Sequence, residues 1–295
     1  MSTILTALAV LAATTPGLLL SPADLASALK DPATIVIAVG SSEDDFIAGH
    51  IPGARFVNYN DIAVDAGGLS TELPPVDQLR KVLSAAGISD KSKIVIYGSA
   101  IAAARMFFTL DYIGHPNAKL LNGGLNAWKA NGGAVEVGPP SREALRGTGT
   151  AEKISSATLT LKPQPDRVVS ADWIKERLSS PKMTLLDARP DAEYTGADGG
   201  MNGAHVKGHL PDAQQLVWNT LLDSSGKFLP DAELKKKFEA IGAKAATPLV
   251  SYCMVGMRAS VTYFVARHLG YDARLYDGSI VDWTRRKLPA VMGPR

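Results

Sequence analysis

The chain repeats itself, and that repetition restricts its fold more than any other feature. Ser21-Pro22-Ala23-Asp24-Leu25 opens a helical stretch ahead of the apolar run Ile35–Val39. Ser170-Ala171-Asp172-Trp173-Ile174 opens another ahead of Thr184-Leu185-Leu186-Asp187-Ala188-Arg189. Gly49-His50-Ile51-Pro52-Gly53-Ala54 returns as Gly208-His209-Leu210-Pro211-Asp212-Ala213, and Lys93-Ile94-Val95-Ile96-Tyr97 as Pro248-Leu249-Val250-Ser251-Tyr252. Leu120–Trp128, with its Asn122-Gly123-Gly124, matches Leu275–Trp283, with its Asp277-Gly278-Ser279. Five blocks kept in order mean one structural plan used twice. The expected units are residues 18–137 and 167–295, joined by a polar linker over 138–166 that begins at Gly138-Pro139-Pro140 and ends past Pro163 and Pro165. A length of 295 residues accommodates two ordinary domains.

Within each copy, short β-branched runs alternate with longer segments of helical periodicity. Leu79, Val82, Leu83 and Ala86 keep helical spacing, as do Leu234, Phe238 and Ile241. This alternation predicts an α/β fold, each domain a parallel sheet with helices on both faces. Ligands bind such sheets beyond the carboxyl ends of the strands, which directs attention to whatever follows Tyr97 and Tyr252. Forty-six per cent hydrophobic residues supply a substantial core. Thirty-one basic against 29 acidic residues leave a formal charge of +2, and the densest run, Lys235–Lys237, reads as one solvated helix face; no nucleic-acid footprint is expected. Residues 1–17 are uncharged and apolar, too short for a membrane span, and lack the basic start of a secretory signal. Two readings stand: a signal remnant, with a periplasmic or secreted protein, or an apolar extension of a cytoplasmic one. No other segment is expected to span a membrane, and neither monomer nor dimer is favoured.

The chain has one cysteine, which excludes an intrachain disulfide, a zinc ribbon and a two-cysteine redox motif. Cys253 directly follows an expected strand, and Met254-Val255-Gly256-Met257-Arg258 separates it from a helix-compatible run, Ala259–Leu269. A helix start offers N–H groups without intrahelical partners and a positive dipole end. A loop curled around the sulfur can add further N–H groups, Gly256 gives the backbone freedom to curl, and Arg258 adds positive charge. Together these favour thiolate over thiol, and would equally stabilise an anionic persulfide. The plainer alternative is a buried, inert thiol, the common state of free cysteine.

The ordered set of motifs resembles the tandem rhodanese-domain sulfurtransferases, the thiosulfate/3-mercaptopyruvate family. It comprises the two Gly-His-[Ile/Leu]-Pro blocks, Asp187-x-Arg189, Cys253-x-x-Gly256-x-Arg258 and Tyr276-Asp277-Gly278-Ser279 with Trp283. The resemblance implies two rhodanese-like domains of which only the second is catalytic. Gly98 stands where the first domain's thiol would be, and Ala38 and Gly40 replace Asp187 and Arg189. It implies that Cys253 takes a sulfane sulfur from an anionic donor, holds it as a persulfide and yields it to cyanide or a thiol. Arg258 and the loop of Met254, Val255, Gly256 and Met257 would bind the donor. Arg189 either joins them or braces the loop through Asp187, and His50 is a candidate to face that loop from the first domain.

The loop departs from both well-known branches, which resemble Cys-Arg-Lys-Gly-Val-Thr and Cys-Gly-Ser-Gly-Val-Thr. Met254 and Val255 supply neither the basic pair nor the serine, and Glu193 stands where some members carry a basic residue. Thiosulfate is the favoured donor, since no serine relay is present for mercaptopyruvate. Rhodanese-fold phosphatases use Cys-x5-Arg; the Cys-x4-Arg spacing here disfavours them. A non-catalytic binding or persulfide-sensing module is the other alternative. His205 and His209 lie four apart, but Gly208 and Pro211 oppose a helix there, so no metal is expected. No cofactor motif occurs.

Overall fold

The computed structural model describes residues 17–139, 158–179, 182–199 and 206–294. The apolar stretch before residue 17, linker residues 140–157 and His205 lie outside them. In the first domain β1 (Leu19–Leu20), β2 (Thr34–Gly40), β3 (Arg55–Asn58), β6 (Lys93–Gly98) and β7 (Ala118–Leu121) form a parallel sheet ordered β1-β7-β6-β2-β3. Strands β4 (Val64–Ala66) and β5 (Leu69–Glu72) make a separate antiparallel hairpin. In the second domain β8 (Thr184–Asp187), β9 (Gln214–Gln215), β10 (Leu249–Tyr252) and β11 (Ala273–Leu275) form a parallel sheet ordered β11-β10-β8-β9. A parallel bridge from Val168 to Leu275 occupies the place of β1.

Strand periodicity sorts the helices onto two faces. On one face of the first sheet, Ile37, Val39, Ile94 and Ile96 meet α3 (Val76–Ala85) through Leu79 and Leu83, and α4 (Ala100–Tyr112) through Met106 and Leu110. On the other, Val36, Ala38, Val95 and Tyr97 meet Leu25 of α1 (Pro22–Ala28), Phe46 of α2 (Glu43–Ala48) and Trp128 of α5 (Gly124–Ala130). The second domain repeats the scheme. Helices α8 (Asp231–Ala240) and α9 (Ala259–His268) cover one face of its sheet; α6 (Ala171–Lys175), α7 (Asp191–Thr195) and α10 (Ser279–Arg285) cover the other. Ser21 and Ser170, the residues that open the repeat, cap α1 and α6 by accepting the Asp24 and Trp173 N–H groups.

The duplication persists in single hydrogen bonds. Tyr97 Oη accepts the Ile51 N–H and Tyr252 Oη the Leu210 N–H. His50 stacks on Phe46 at 3.9 Å and His209 on Tyr194 at 3.8 Å. Trp128 donates to the Ala134 carbonyl, Trp283 to that of Pro289. Both histidines are therefore fixed inside their own domains. His50 is buried, within 3.6 Å of Glu136 of its own domain, and not part of the cleft wall described below, so the expectation that it faces the catalytic loop does not hold.

One apolar core crosses the domain boundary, because α4 and α9 pack against each other. Phe107 meets Phe264 and Phe108 meets Tyr263, both edge to face at about 5 Å. Asp111 accepts from the Tyr263 hydroxyl and from Arg267 Nε at 2.9 Å. The last stretch of linker is not purely a surface segment: Leu159 is buried in this core, and Lys162 and Gln164 donate to the Ile113 and Tyr112 carbonyls. The helices that follow Gly98 and Cys253 are thus the pair that joins the domains, which brings the two strand ends to one cleft.

Candidate active site

Cys253 is the first residue beyond β10, is 1% exposed, and lines a cleft of about 920 Å³ between the domains. Its N–H donates to Ser279 Oγ at 3.1 Å, and its carbonyl accepts the Ile280 N–H. The loop then runs to Arg258, which precedes α9. Gly256 has φ +83°, and a Cβ there would lie 2.5 Å from Asp277 Oδ1 and 2.8 Å from the Asp277 carbonyl, so only glycine fits. The Ser260 N–H donates to the Gly256 and Met257 carbonyls. Between Cys253 and Ser260, no N–H of residues 254–259 has an acceptor among the described residues. Unpaired N–H groups in such a loop are what stabilisation of an anion requires. Met254, Val255, Met257 and Arg258 join Cys253 in the cleft wall.

Arg258 stands at the cleft, but not as a free cation. Glu193 accepts from it in a bidentate pair, at 2.7 and 2.8 Å. Burial would lower the Arg258 pKa; the Glu193 bond and the nearby Cys253 sulfur outweigh it and raise the value. The residue with the wrong sign for an anionic donor is therefore the partner that neutralises the loop's arginine. Arg189 is fully buried, donates from Nε and Nη2 to Asp187 and from Nη2 to the Gly208 carbonyl, and is absent from the cleft wall. Burial acts to lower its pKa, but the Asp187 carboxylate prevails and keeps it charged. Its geometry is that of the bracing alternative: Asp187 and Arg189 tie the end of β8, the strand beside β10, to the Gly208-His209 turn. Arg189 Nη1 alone has no partner among the described residues.

Several site residues escaped the sequence reading. Ser279 holds φ +51°, a conformation that Gly124 takes at the matching place in the first repeat at φ +56°; the Gly-to-Ser change between repeats was the available signal. The first domain also reaches across. Thr71 donates its hydroxyl to the Val255 carbonyl, and the Leu73 N–H donates to Asp277 Oδ2 at 2.8 Å. Arg105, fully buried on α4, donates to both oxygens of Asp277, at 2.5 and 3.1 Å. These contacts are 172 to 204 residues apart in the chain, beyond any local pattern. Beside them Glu72 Oε1 is buried with no hydrogen-bond partner among the described residues, and burial together with Asp277 pushes the Glu72 pKa up to about 7. Among the described residues no cluster of His, Cys, Asp and Glu is arranged to hold a metal ion, and no helix is long and apolar enough to cross a membrane.

Fold and site together define a two-domain α/β protein arranged around one cradled thiol. The sequence profile of the rhodanese-like domain matches residues 21–131 and 170–286. A thiosulfate/3-mercaptopyruvate sulfurtransferase of Arabidopsis thaliana is 30% identical over 260 residues, covering 84% of this chain and 76% of its own. A thiosulfate sulfurtransferase of Azotobacter vinelandii is 30% identical over 269 residues, covering 90% and 93%. The crystal structure of YnjE superimposes with a TM-score of 0.80 at 23% identity, over 94% of this chain and 69% of that one, a likeness of fold. The chain belongs to the rhodanese family, among its tandem-domain sulfurtransferases.

Proposed function

We propose that the protein moves a sulfane sulfur from an anionic donor, thiosulfate first among them, to cyanide or a thiol through a persulfide on Cys253. The observation that carries this reading is the thiol at the end of β10, on a cleft wall, followed by a loop whose N–H groups lack acceptors among the described residues. In the first step the Cys253 thiolate attacks the outer sulfur of thiosulfate. A new S–S bond forms, the donor's S–S bond breaks, and sulfite leaves with the electron pair. In the second, cyanide or a thiolate attacks that sulfur and the pair returns to Sγ. The loop N–H groups hold the negative charge in both states. Arg258, already paired, contributes through the Glu193-bound ion pair rather than as a free donor clamp. The Cys-x4-Arg loop argues against phosphatase chemistry, and retention of the thiol argues against a purely binding role.

Intact-mass measurement after exposure to thiosulfate, beside Cys253→Ser, tests this directly. The expected result is a gain of one sulfur atom in the wild type, reversed by cyanide and absent in the variant. No gain with thiosulfate, mercaptopyruvate or polysulfide would overturn the reading.

A further inference from the structure

The first domain has no thiol at the matching strand end, and an open hollow lies beside that point. Gly98 ends β6 where Cys253 follows β10, and a Cβ there would lie 2.2 Å from the Val39 carbonyl oxygen, so the backbone admits no side chain. Gly124 likewise stands where the second domain carries Ser279. The resulting hollow opens into the cleft that Cys253 lines. Its silent-domain wall is apolar, with Phe46, Phe56, Ile101 and Leu125, and it faces Met254 and Met257 of the thiol loop. The joint volume, about 920 Å³, is that of a site for a drug-sized molecule. A cyanide or thiosulfate ion displaces only a few waters, at roughly 30 Å³ each, and leaves most of it unfilled.

Apolar surface, rather than charge, narrows the occupant. Apart from the thiol itself, Asp45 and Arg258 are the charged residues among the described lining residues, and Arg258 is held by Glu193. Asp45 sits in the first turn of α2 with Glu43 and Asp44, all exposed, while Lys129, Lys227 and Arg285 stand beside the lining glycines Gly49, Gly123 and Gly68, so the rim carries both signs. A mixed rim gives no net preference for either sign, whereas a polar body would desolvate against the apolar wall and an apolar one buries its surface there.

We propose that the hollow of the silent domain is an acceptor subsite for an apolar-bodied small thiol. The proposal rests on the Cys253 persulfide reading. The two walls then divide the reaction: loop N–H groups hold the anionic sulfur, and the silent wall holds the acceptor's body. The acceptor's thiol loses its proton to solvent and its thiolate attacks the outer persulfide sulfur. The new S–S bond forms as the bond to Sγ breaks, and the pair leaves on Sγ, so acceptor persulfide and Cys253 thiolate result with no oxidant consumed.

The test follows single-turnover discharge of persulfide-loaded protein by benzyl mercaptan, 2-mercaptoethanol and glutathione: an apolar neutral thiol, a small neutral one and a bulky anionic one. Benzyl mercaptan should discharge with saturation and about tenfold more efficiently than either of the others, the scale on which apolar pockets discriminate. Ile101→Trp, and separately Leu125→Trp on the other side of the hollow, should bring the benzyl mercaptan to 2-mercaptoethanol ratio close to one. Rates that follow thiol basicity alone, or a preference for glutathione, would overturn the proposal. The hollow is also read without sulfur chemistry, by saturation-transfer NMR of the unloaded protein with benzyl alcohol. Transfer in the wild type that is lost in both variants supports the subsite even if loading fails, a failure that would refute the persulfide reading instead. Absence of transfer in the wild type would overturn the subsite.

Discussion

At the scale of residues, the site is governed by a few pairings that set charge and backbone geometry around one sulfur. Glu193 holds Arg258 in a two-point ion pair, so the cleft's guanidinium is largely neutralised. Glu193→Gln should free it: KM for thiosulfate is expected to fall about threefold to tenfold, with the gain shrinking as salt screens the pair. Steady-state kinetics at low and high ionic strength check this. Ser279 combines a left-handed backbone with the hydrogen bond that receives the Cys253 N–H. Replacing it with glycine relieves the backbone while deleting that bond. Ser279→Gly should therefore slow sulfur loading about fivefold, the value of one hydrogen bond near 1 kcal/mol, without lowering Tm. A matched fall in Tm and rate would mean that Ser279 serves packing alone. Cys253 and its spacing to Arg258 were legible in the sequence because catalytic-type loops are local. The Arg258–Glu193 pair was not, since 65 residues separate the partners and each charge looks solvent-bound when read alone.

The elements show how the two domains differ around their matching strand ends. Strands β6 and β10 hold the centres of matching sheets, and helices α4 and α9 follow them from matching loops. In the second domain Asp187 lies beside Tyr252 across the β8–β10 register, and Ala38 lies beside Tyr97 at the same place in the first. The asymmetry goes deeper than a missing cysteine, because the backbone around Gly98 has closed onto the Val39 carbonyl. Gly98→Cys is therefore expected to leave sulfur uptake at one atom per chain and to lower stability by about 1–3 kcal/mol or more, as overpacking does. Intact mass after thiosulfate and a thermal melt read the two effects. A second sulfur on the variant would show that the first domain is one substitution from activity. The alternation of strands and helices and both serine caps could be read from period and spacing. The antiparallel hairpin β4–β5 could not be read, because Val64–Ala66 and Leu69–Glu72 are short, contain no fully buried residue and lack an apolar face.

For the whole molecule, the interface is a polar latch set beside an apolar seam. Phe107, Phe108, Tyr263 and Phe264 supply the seam, and Arg105, Asp277, Thr71 and Glu72 lie behind the thiol loop. Two carboxyls near one guanidinium cannot both be comfortably ionised, and Glu72 accordingly keeps its proton to about pH 7. A carboxyl whose pKa is raised on folding favours the folded state fully below its unfolded value. That contribution is lost as pH climbs through the folded value. The window here runs from near 4.5 to about 7. Glu72→Gln should leave Tm almost unchanged at pH 5 and raise it at pH 8 by about 2–4 °C, corresponding to roughly 1–2 kcal/mol after allowance for solvent screening. Melts of both proteins at the two pH values decide it; a stabilisation of equal size at both would remove Glu72's ionisation as the cause.

Residue order alone specifies the duplication, the α/β class, the absence of a cysteine from the first copy and the position of the thiol in the second. Each of these is written in residues close together in the chain, as a period, a cap or a loop of six. Tertiary structure alone decided what charge the thiol meets, what holds its loop and how large its cleft is. Those depend on Glu193, Ser279, Arg105 and Thr71, and on the hollow above Gly98, which become neighbours only when two sheets dock through α4 and α9. Burial sets the strength of such charge pairings, and burial is a property of the packed pair of domains rather than of any segment.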